Sequence, residues 1–193
     1  MDILEIAKHT QLLGREILEE TPLITEWESI GARVHLVGSM KTGLIIKKDI
    51  DMHIYTDKLS IAESFTVMKQ LAEKMQLKEI QYINGINTEE ECIEWHALYE
   101  DKHSYLWKFD MIHIRSGSKY DGVVEKVTEA IANRLTPETR KAILQIKYDT
   151  PEGINIPGIE IYHAVFTGNV RSYKEFEQWR QANPLTDSLN WMP

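Results

Sequence analysis

Cysteine, glycine and proline are scarce in this sequence: its 193 residues include 1 Cys, 10 Gly and 6 Pro. A single cysteine excludes a disulfide scaffold and a zinc site built from several cysteines, and it is typical of a reducing compartment. No segment approaches the roughly 18–20 apolar residues of a membrane-spanning helix. The first residues, Met-Asp-Ile-Leu-Glu-Ile, carry acids where a secretory signal is basic. We therefore expect a cytoplasmic protein without a signal peptide and without a membrane partner.

Basic residues are also outnumbered, with 22 Lys+Arg against 30 Asp+Glu and a net charge of −8. Broad binding to a nucleic-acid backbone needs clustered lysine and arginine, so the acidic balance argues against it. It leaves room for a local basic pocket that binds one phosphorylated ligand. Hydrophobic residues make up 42% of the chain, which excludes a disordered protein and suffices for a packed core.

Hydrophobic periodicity predicts an α+β, or mixed α/β, core that is followed by helices. Helices are predicted over 2–20, 60–76, 121–133, 137–147, 159–167 and 173–182, and strands over 33–37, 49–55, 91–99 and 104–114. We expect a core over 1–118 and a helical C-terminal region over 119–193 that packs on it. The sequence does not predict an oligomeric state.

Two aspartates on a predicted strand are the first candidates for chemistry. Asp49 and Asp51 are two residues apart, so their carboxylates leave one face of the strand while Ile50 and Met52 leave the other. Two neighbouring carboxylates repel one another unless a cation lies between them. Mg²⁺ binds one or two carboxylates together with substrate phosphates, so this pair predicts a metal–phosphate site. The alternative is two solvent-facing acids on an exposed sheet.

Gly38 and Ser39 directly follow the predicted strand 33–37. Glycine lets a phosphate approach the backbone closely, and the serine hydroxyl and the following N–H groups can donate to phosphate oxygens. Residues 40–48 are long enough for a short helical turn and a return strand. A phosphate bound at Gly38 would then lie near a metal held by the two aspartates. An ordinary turn is the alternative for this dipeptide.

A third aspartate, Asp110, lies within a later strand that is otherwise rich in β-forming residues. An acid in mid-strand requires a partner, a cation or access to solvent. If this strand pairs with the one that carries Asp49 and Asp51, three carboxylates converge, which is the arrangement for two-metal phosphoryl transfer. Asp49 and Asp51 would bridge the ions, and Asp110 would bind one ion and act as a base or orient the acceptor. A surface or salt-bridged acid is the alternative.

This pattern resembles the DNA polymerase beta-like nucleotidyltransferase superfamily, in particular its small members and those that modify antibiotics. The matching residues are Gly38, Ser39, Asp49, Asp51 and Asp110, and the resemblance covers about residues 30–115. It implies a mixed β-sheet flanked by helices, with residues 1–118 as the catalytic core. It further implies transfer of a nucleoside monophosphate from an NTP, such as ATP, to an acceptor hydroxyl or phosphate.

The resemblance also implies a cofactor of two Mg²⁺ ions, with Mn²⁺ as an alternative, and contact of Gly38 and Ser39 with the β- and γ-phosphates. Many small members have a serine before the aspartate pair and an arginine in the spacer, whereas here Lys47 and Lys48 precede Asp49 and Lys41 follows the Gly-Ser. We therefore expect Lys41 and Lys48 to bind phosphate, although each can also be a solvated surface lysine. The small size and the acidic charge favour a small-molecule acceptor.

Other residues are weaker candidates. Arg140, Lys147 and Tyr148 lie on or just after a helix that follows the sheet, where superfamily members often bind the nucleotide, and Arg115 is comparable. The seven histidines lack the spacing of a zinc site. A protein with the same fold could also bind nucleotide without turnover, or act as an antitoxin-like interaction module.

Overall fold

The computed structural model describes residues 2–184 and 191–193. Its helices in those ranges are α1 (Ile3–Glu20), α2 (Leu23–Glu28), α3 (Gly38–Thr42), α4 (Ile61–Met75), α5 (Val123–Arg134), α6 (Pro137–Asp149), α7 (Gly158–Thr167) and α8 (Tyr173–Ala182). Its strands are β1 (Arg33–Leu36), β2 (Asp49–Thr56), β3 (Glu79–Gly85), β4 (Cys92–Glu100) and β5 (Leu106–Arg115). The predicted α+β class is confirmed.

The five strands form one mixed sheet in the order β1-β2-β5-β4-β3. The consecutive strands β3, β4 and β5 pair in antiparallel fashion, as do β1 and β2. Between β2 and β5 the pairing is parallel, because the chain crosses over through α4 and two strands before it returns. This crossover makes β2 and β5 direct neighbours at the centre of the sheet.

Local capping signals explain the beginnings of several helices. The side chain of Thr136 accepts a hydrogen bond from the backbone N–H of Thr139, and Pro137 occupies the first turn of α6. Ser172 caps α8 in the same way. The ends predicted for these helices from the sequence are therefore close to the observed ones, since the capping residues are local in the chain.

Two hydrophobic cores hold the layers together. The first lies between one face of the sheet and helices α1, α2 and α4, and it contains Ile50, Trp27 and Leu71. The second joins α5, α6, α7 and α8, and it also includes Ile3 and Ala7 from the beginning of α1. The second core thus draws on residues from both sides of position 118, and the division into 1–118 and 119–193 stays a prediction. Residues 185–190 of the predicted C-terminal region lie outside the described residues.

The sequence did not predict α2 and β3. Helix α2 has six residues and buries Leu23 and Trp27, which is too short for a periodic pattern. Strand β3 lies at the edge of the sheet with most of its side chains exposed, so it lacks the alternation that identifies a half-buried strand.

The prediction of a return strand within residues 40–48 is wrong, whereas the predicted helical turn is present as α3. Helix α3 ends at Gly43, which has a left-handed backbone with φ of 71°. The carbonyl groups of Thr42 and Gly43 then accept hydrogen bonds from Arg140, and that of Leu44 accepts one from Lys147. Side chains of α6 therefore satisfy this backbone in place of a neighbouring strand.

In the described part of the chain, no helix is both long enough and apolar enough to cross a membrane.

Candidate active site

Three aspartates lie on the two central strands. Asp49 and Asp51 belong to β2, and Asp110 lies on β5 directly beside Asp51 in the parallel register. The pairing of these two strands, on which the convergence of the three carboxylates depended, is confirmed. Ile50 and Met52 alternate with the acids and are fully buried in the core on the other face of the sheet.

Burial and mutual repulsion disfavour the charged forms of the β2 acids. Burial, together with the negative charges of Asp49 and Asp110, raises the pKa of Asp51 to about 7. Burial also raises the pKa of Asp49, although the nearby ammonium group of Lys147 opposes that shift. Both carboxylates are therefore in the electrostatic situation that a bound cation relieves.

Within residues 2–184 and 191–193, Asp110 has side-chain hydrogen-bond partners, whereas the β2 acids have none. Its Oδ1 lies 2.5 Å from Nδ1 of His96 on β4, and both of its oxygens lie 2.9 Å from Nζ of Lys108. Among residues 2–184 and 191–193, two acids and a thiol, those of Glu90, Glu94 and Cys92, have possible ligand atoms that all lie within 4.8 Å of one another. The three aspartates are spaced more widely than that set.

The Gly38-Ser39 dipeptide lies at the end of β1 and begins α3. Gly38 has a left-handed backbone with φ of 62°, and a β-carbon there would lie 2.5 Å from Oδ2 of Asp51. The backbone N–H of Val37 donates to the carbonyl oxygen of Asp51 at 3.1 Å. A glycine is thus required at this position, because it lets the loop contact the acid directly.

A lysine from α6 and a tyrosine from α7 complete the surroundings of Ser39. Nζ of Lys147 donates to Oγ of Ser39 at 2.6 Å, to the hydroxyl of Tyr162 at 2.9 Å and to the carbonyl of Leu44 at 3.0 Å. Ser39 and Tyr162 are almost fully buried. The lysine thus places a positive charge beside the serine hydroxyl, and this charge also opposes the rise in pKa that burial causes at the two β2 acids.

These groups line one cavity of about 710 Å³. Its charged lining residues are Lys47, Lys48, Lys108, Lys147, Asp49, Asp51 and Asp110. The cavity also has an apolar wall that is formed by α5 and by the segment leading into α7, with Val124, Val127, Ile131, Ile156, Ile159 and Ile161. Four lysines and three aspartates therefore line the same cavity, and one lysine, Lys108, is paired with Asp110.

Of the two lysines predicted to bind phosphate, one lines the cavity and the other does not. Lys48 lines the cavity, and its Nζ lies 4.2 Å from the centre of the Tyr105 ring. Lys41 is exposed on α3 and lies outside the cavity lining, so Lys147 rather than Lys41 adjoins Ser39. The reason is the helical turn of α3, in which residues two apart lie on different faces, so that Ser39 is buried and Lys41 is exposed.

Three of the weaker candidates, Arg140, Arg115 and Tyr148, do not line the cavity. Arg140 donates to the two carbonyls that end α3, so its role is structural. Arg115 pairs with Glu91 five residues beyond Asp110 on β5, and Tyr148 is exposed.

Neither a protein-family model nor a curated protein matches the chain, so the comparison is with solved structures. The RNA terminal uridylyl transferase Cid1 superposes with a TM-score of 0.54 at 15% identity, over 80% of this chain and 46% of the Cid1 chain. The GLD-2/RNP-8 complex matches with a TM-score of 0.52 at 11% identity, over 96% of this chain and 69% of the other. A Cid1 poly(U) polymerase structure with MgGTP bound has a TM-score of 0.52 at 15% identity, over 72% of this chain and 42% of that one.

The chain has the DNA polymerase beta-like nucleotidyltransferase fold. It spans less than half the length of the two Cid1 chains described above.

The residues present fit the divalent cation that a nucleotidyltransferase fold implies. Asp49 and Asp51 supply hard oxygen ligands. Of the three aspartates, Asp110 is the one that forms ion pairs in the described residues, so the carboxylates of Asp49 and Asp51 are not occupied by such pairs. The pKa values of the β2 acids are raised because burial and neighbouring negative charges disfavour their ionised forms. A bound cation would relieve this unfavourable electrostatic energy.

Two residues of this nucleotidyltransferase fold were not candidates from the sequence. Tyr162 and His96 contact Lys147 and Asp110, respectively. Neither residue belongs to a sequence motif. Tyr162 lies on the C-terminal helix α7, and His96 lies on strand β4, in which polar and apolar residues alternate as in other strands. The two-residue period of β4 would have placed His96 on the face of the sheet that carries the three aspartates only if the register of β4 against β5 had been known.

Proposed function

We propose that this chain is a Mg²⁺-dependent nucleotidyltransferase that transfers a nucleoside monophosphate from an NTP to an acceptor oxygen. The observation that carries the proposal is the close approach of the Gly38 backbone to the carboxylate of Asp51, which leaves no room for a β-carbon. The backbone at Gly38 can bind phosphate, and the neighbouring carboxylate of Asp51 can bind a metal ion. A metal–triphosphate substrate requires these two kinds of group side by side.

Asp49 and Asp51 would hold Mg²⁺ or Mn²⁺, with Asp110 as a third ligand for a second ion. When bound, the ions would neutralise the triphosphate charge and stabilise the charge that develops in an in-line displacement. Asp110 lies beside Asp51, so it also serves as the group that orients the acceptor hydroxyl and accepts its proton. The acceptor oxygen forms a bond to the α-phosphorus, and the bond from that phosphorus to the pyrophosphate oxygen breaks.

The β- and γ-phosphates would bind at Gly38 and Ser39, with Lys147 and Lys48 as counter-charges. Nζ of Lys147 has three donors, which now contact Ser39, Leu44 and Tyr162, so a phosphate oxygen needs only to replace one of these partners. Because Lys41 lies outside the cavity, we no longer assign it to the phosphates.

We further propose a small-molecule acceptor. The net charge of −8 is unfavourable for a long phosphodiester, and a further acid, Glu94, lies 3.5 Å from His96, which contacts Asp110. An RNA acceptor, as for the RNA terminal uridylyl transferase Cid1, is the alternative outcome of the acceptor experiment.

The experiment is pyrophosphate release from each of the four labelled NTPs with Mg²⁺ or Mn²⁺, in the presence of a metabolite extract or of RNA oligonucleotides. We expect metal-dependent release that Asp51→Asn reduces by several orders of magnitude. Asp57→Asn is the matched control, because Asp57 is exposed just beyond β2. Mass spectrometry of the products identifies the acceptor.

Turnover that is unaffected by Asp51→Asn contradicts the proposal. Tight binding of Mg·NTP without pyrophosphate release, under every acceptor condition, would instead favour a non-catalytic nucleotide-binding module.

A further inference from the structure

His96 lies directly opposite Asp110 in the antiparallel pairing of β4 with β5. The same row continues across the sheet to Asp51 on β2, so the histidine, the third aspartate and a proposed metal ligand follow one another on three adjacent strands. We propose that His96 is a positioning residue, which holds the carboxylate of Asp110 in the orientation required for metal binding and acceptor activation. This inference rests on the proposed function.

The contact between His96 and Asp110 is specific in its geometry. Nδ1 of the imidazole lies 2.5 Å from Oδ1 of Asp110, and an ionised carboxylate can only accept, so Nδ1 is the donor. The other ring nitrogen, Nε2, lies 3.5 Å from Oε2 of Glu94. The ring therefore has a carboxylate near each nitrogen, and its hydrogen bond is the one from Nδ1 to Asp110.

Lys108 reaches both oxygens of Asp110 at 2.9 Å, but it cannot replace the histidine as a positioning group. Its side chain is 50% exposed, whereas that of His96 is 21% exposed. A flexible ammonium neutralises a carboxylate without fixing its rotation, while a half-buried ring between two strands has few alternative positions. His96 therefore determines where the remaining lone pairs of Asp110 point.

A purely structural role for His96 would be a cross-strand contact like many others on a sheet. Two observations argue for more than that. His96 lines the cavity together with the three aspartates, and in the described part of the chain its partner Asp110 is the one of these three that accepts hydrogen bonds from other side chains. Hydrogen-bond partners of metal ligands orient those ligands, and their removal reduces metal affinity or activity by about 10- to 100-fold.

The test compares His96→Ala, His96→Gln and His96→Asn. The amide nitrogen of asparagine can occupy the position of Nδ1 and donate to Asp110, whereas the longer glutamine side chain reaches toward the position of Nε2. We expect kcat to fall about 10- to 100-fold in the alanine and glutamine variants. In the asparagine variant we expect it to stay within about threefold of the wild type. KM for the NTP should be unchanged in all three, because the Ser39 site is untouched.

Mn²⁺ affinity, measured by electron paramagnetic resonance of the free ion, is the second readout and requires no turnover. It should weaken about tenfold in the alanine and glutamine variants and recover in the asparagine variant. His9→Ala is the matched control, since His9 is an exposed histidine on α1.

The outcomes separate this inference from the proposed function. If the wild type releases no pyrophosphate, the proposed function fails, and the order of Mn²⁺ affinities still decides the role of His96. Variants that all equal the wild type in kcat and in Mn²⁺ affinity overturn the positioning role. An asparagine variant as impaired as the alanine variant also overturns it, because the donor at Nδ1 is then not what matters.

Discussion

Replacement of Asp51 by asparagine should abolish nucleotidyl transfer and at the same time stabilise the metal-free protein. Asparagine has nearly the same shape, so the contact with Gly38 and the packing of β2 are retained. It removes a carboxylate whose pKa is raised from 3.8 to about 7, chiefly by burial and then by Asp49 and Asp110. The folded protein therefore binds the Asp51 proton more tightly than the unfolded chain does.

The sign and the size of the effect follow from that difference. The wild type gains stability from Asp51 only while the carboxyl is protonated, and it loses this contribution as the pH rises from 3.8 to about 7. A difference of about 3 pKa units at about 1.4 kcal/mol each corresponds to a penalty of at most about 4 kcal/mol above pH 7. Because the side chain keeps some contact with water, we expect Asp51→Asn to raise the free energy of unfolding by about 1–3 kcal/mol at pH 8.

Urea unfolding in EDTA at pH 5 and pH 8 measures this gain. It should be largest at pH 8 and fall to about 1 kcal/mol or less at pH 5. Asp57→Asn should show no comparable pH-dependent gain, and added Mg²⁺ should stabilise the wild type more than Asp51→Asn. A variant that is no more stable than the wild type at pH 8 in EDTA, or equally stabilised at both pH values, would refute the electrostatic reasoning.

Three further predictions concern single residues. Gly38→Ala should abolish turnover and lower the free energy of unfolding by at least about 1–2 kcal/mol in urea titrations, because of its positive φ and the contact with Asp51. Lys147→Met should raise KM for the NTP by about 10-fold or more in steady-state kinetics, since it removes the charge beside Ser39, while a small change in KM would exclude its phosphate role. Burial lowers the pKa of His113 to about 4, so the protein should lose up to about 3 kcal/mol as the pH falls from 6.5 to 4, and His113→Asn should flatten that profile.

Features that depend on nearby residues were predictable from the sequence. The alternation of Asp49 and Asp51 with buried residues follows from the two-residue period of a strand, and the glycine required at position 38 follows a strand end. The beginning of α6 was predictable because Thr136 and Pro137 act within one turn. Edge strand β3 was not, since its exposed side chains carry no period.

Features that join distant parts of the chain were decided by tertiary structure. The parallel register of β2 with β5 brings Asp110 beside Asp51, and the fold carries Lys147 to Ser39 over a separation of 108 residues. The sequence alone determined which acids share a face and that a Gly-Ser turn follows the first strand, because both depend on local backbone geometry. Only the tertiary structure decided which lysine adjoins that loop and which histidine holds Asp110, because burial and strand register select among residues that look equivalent in one dimension.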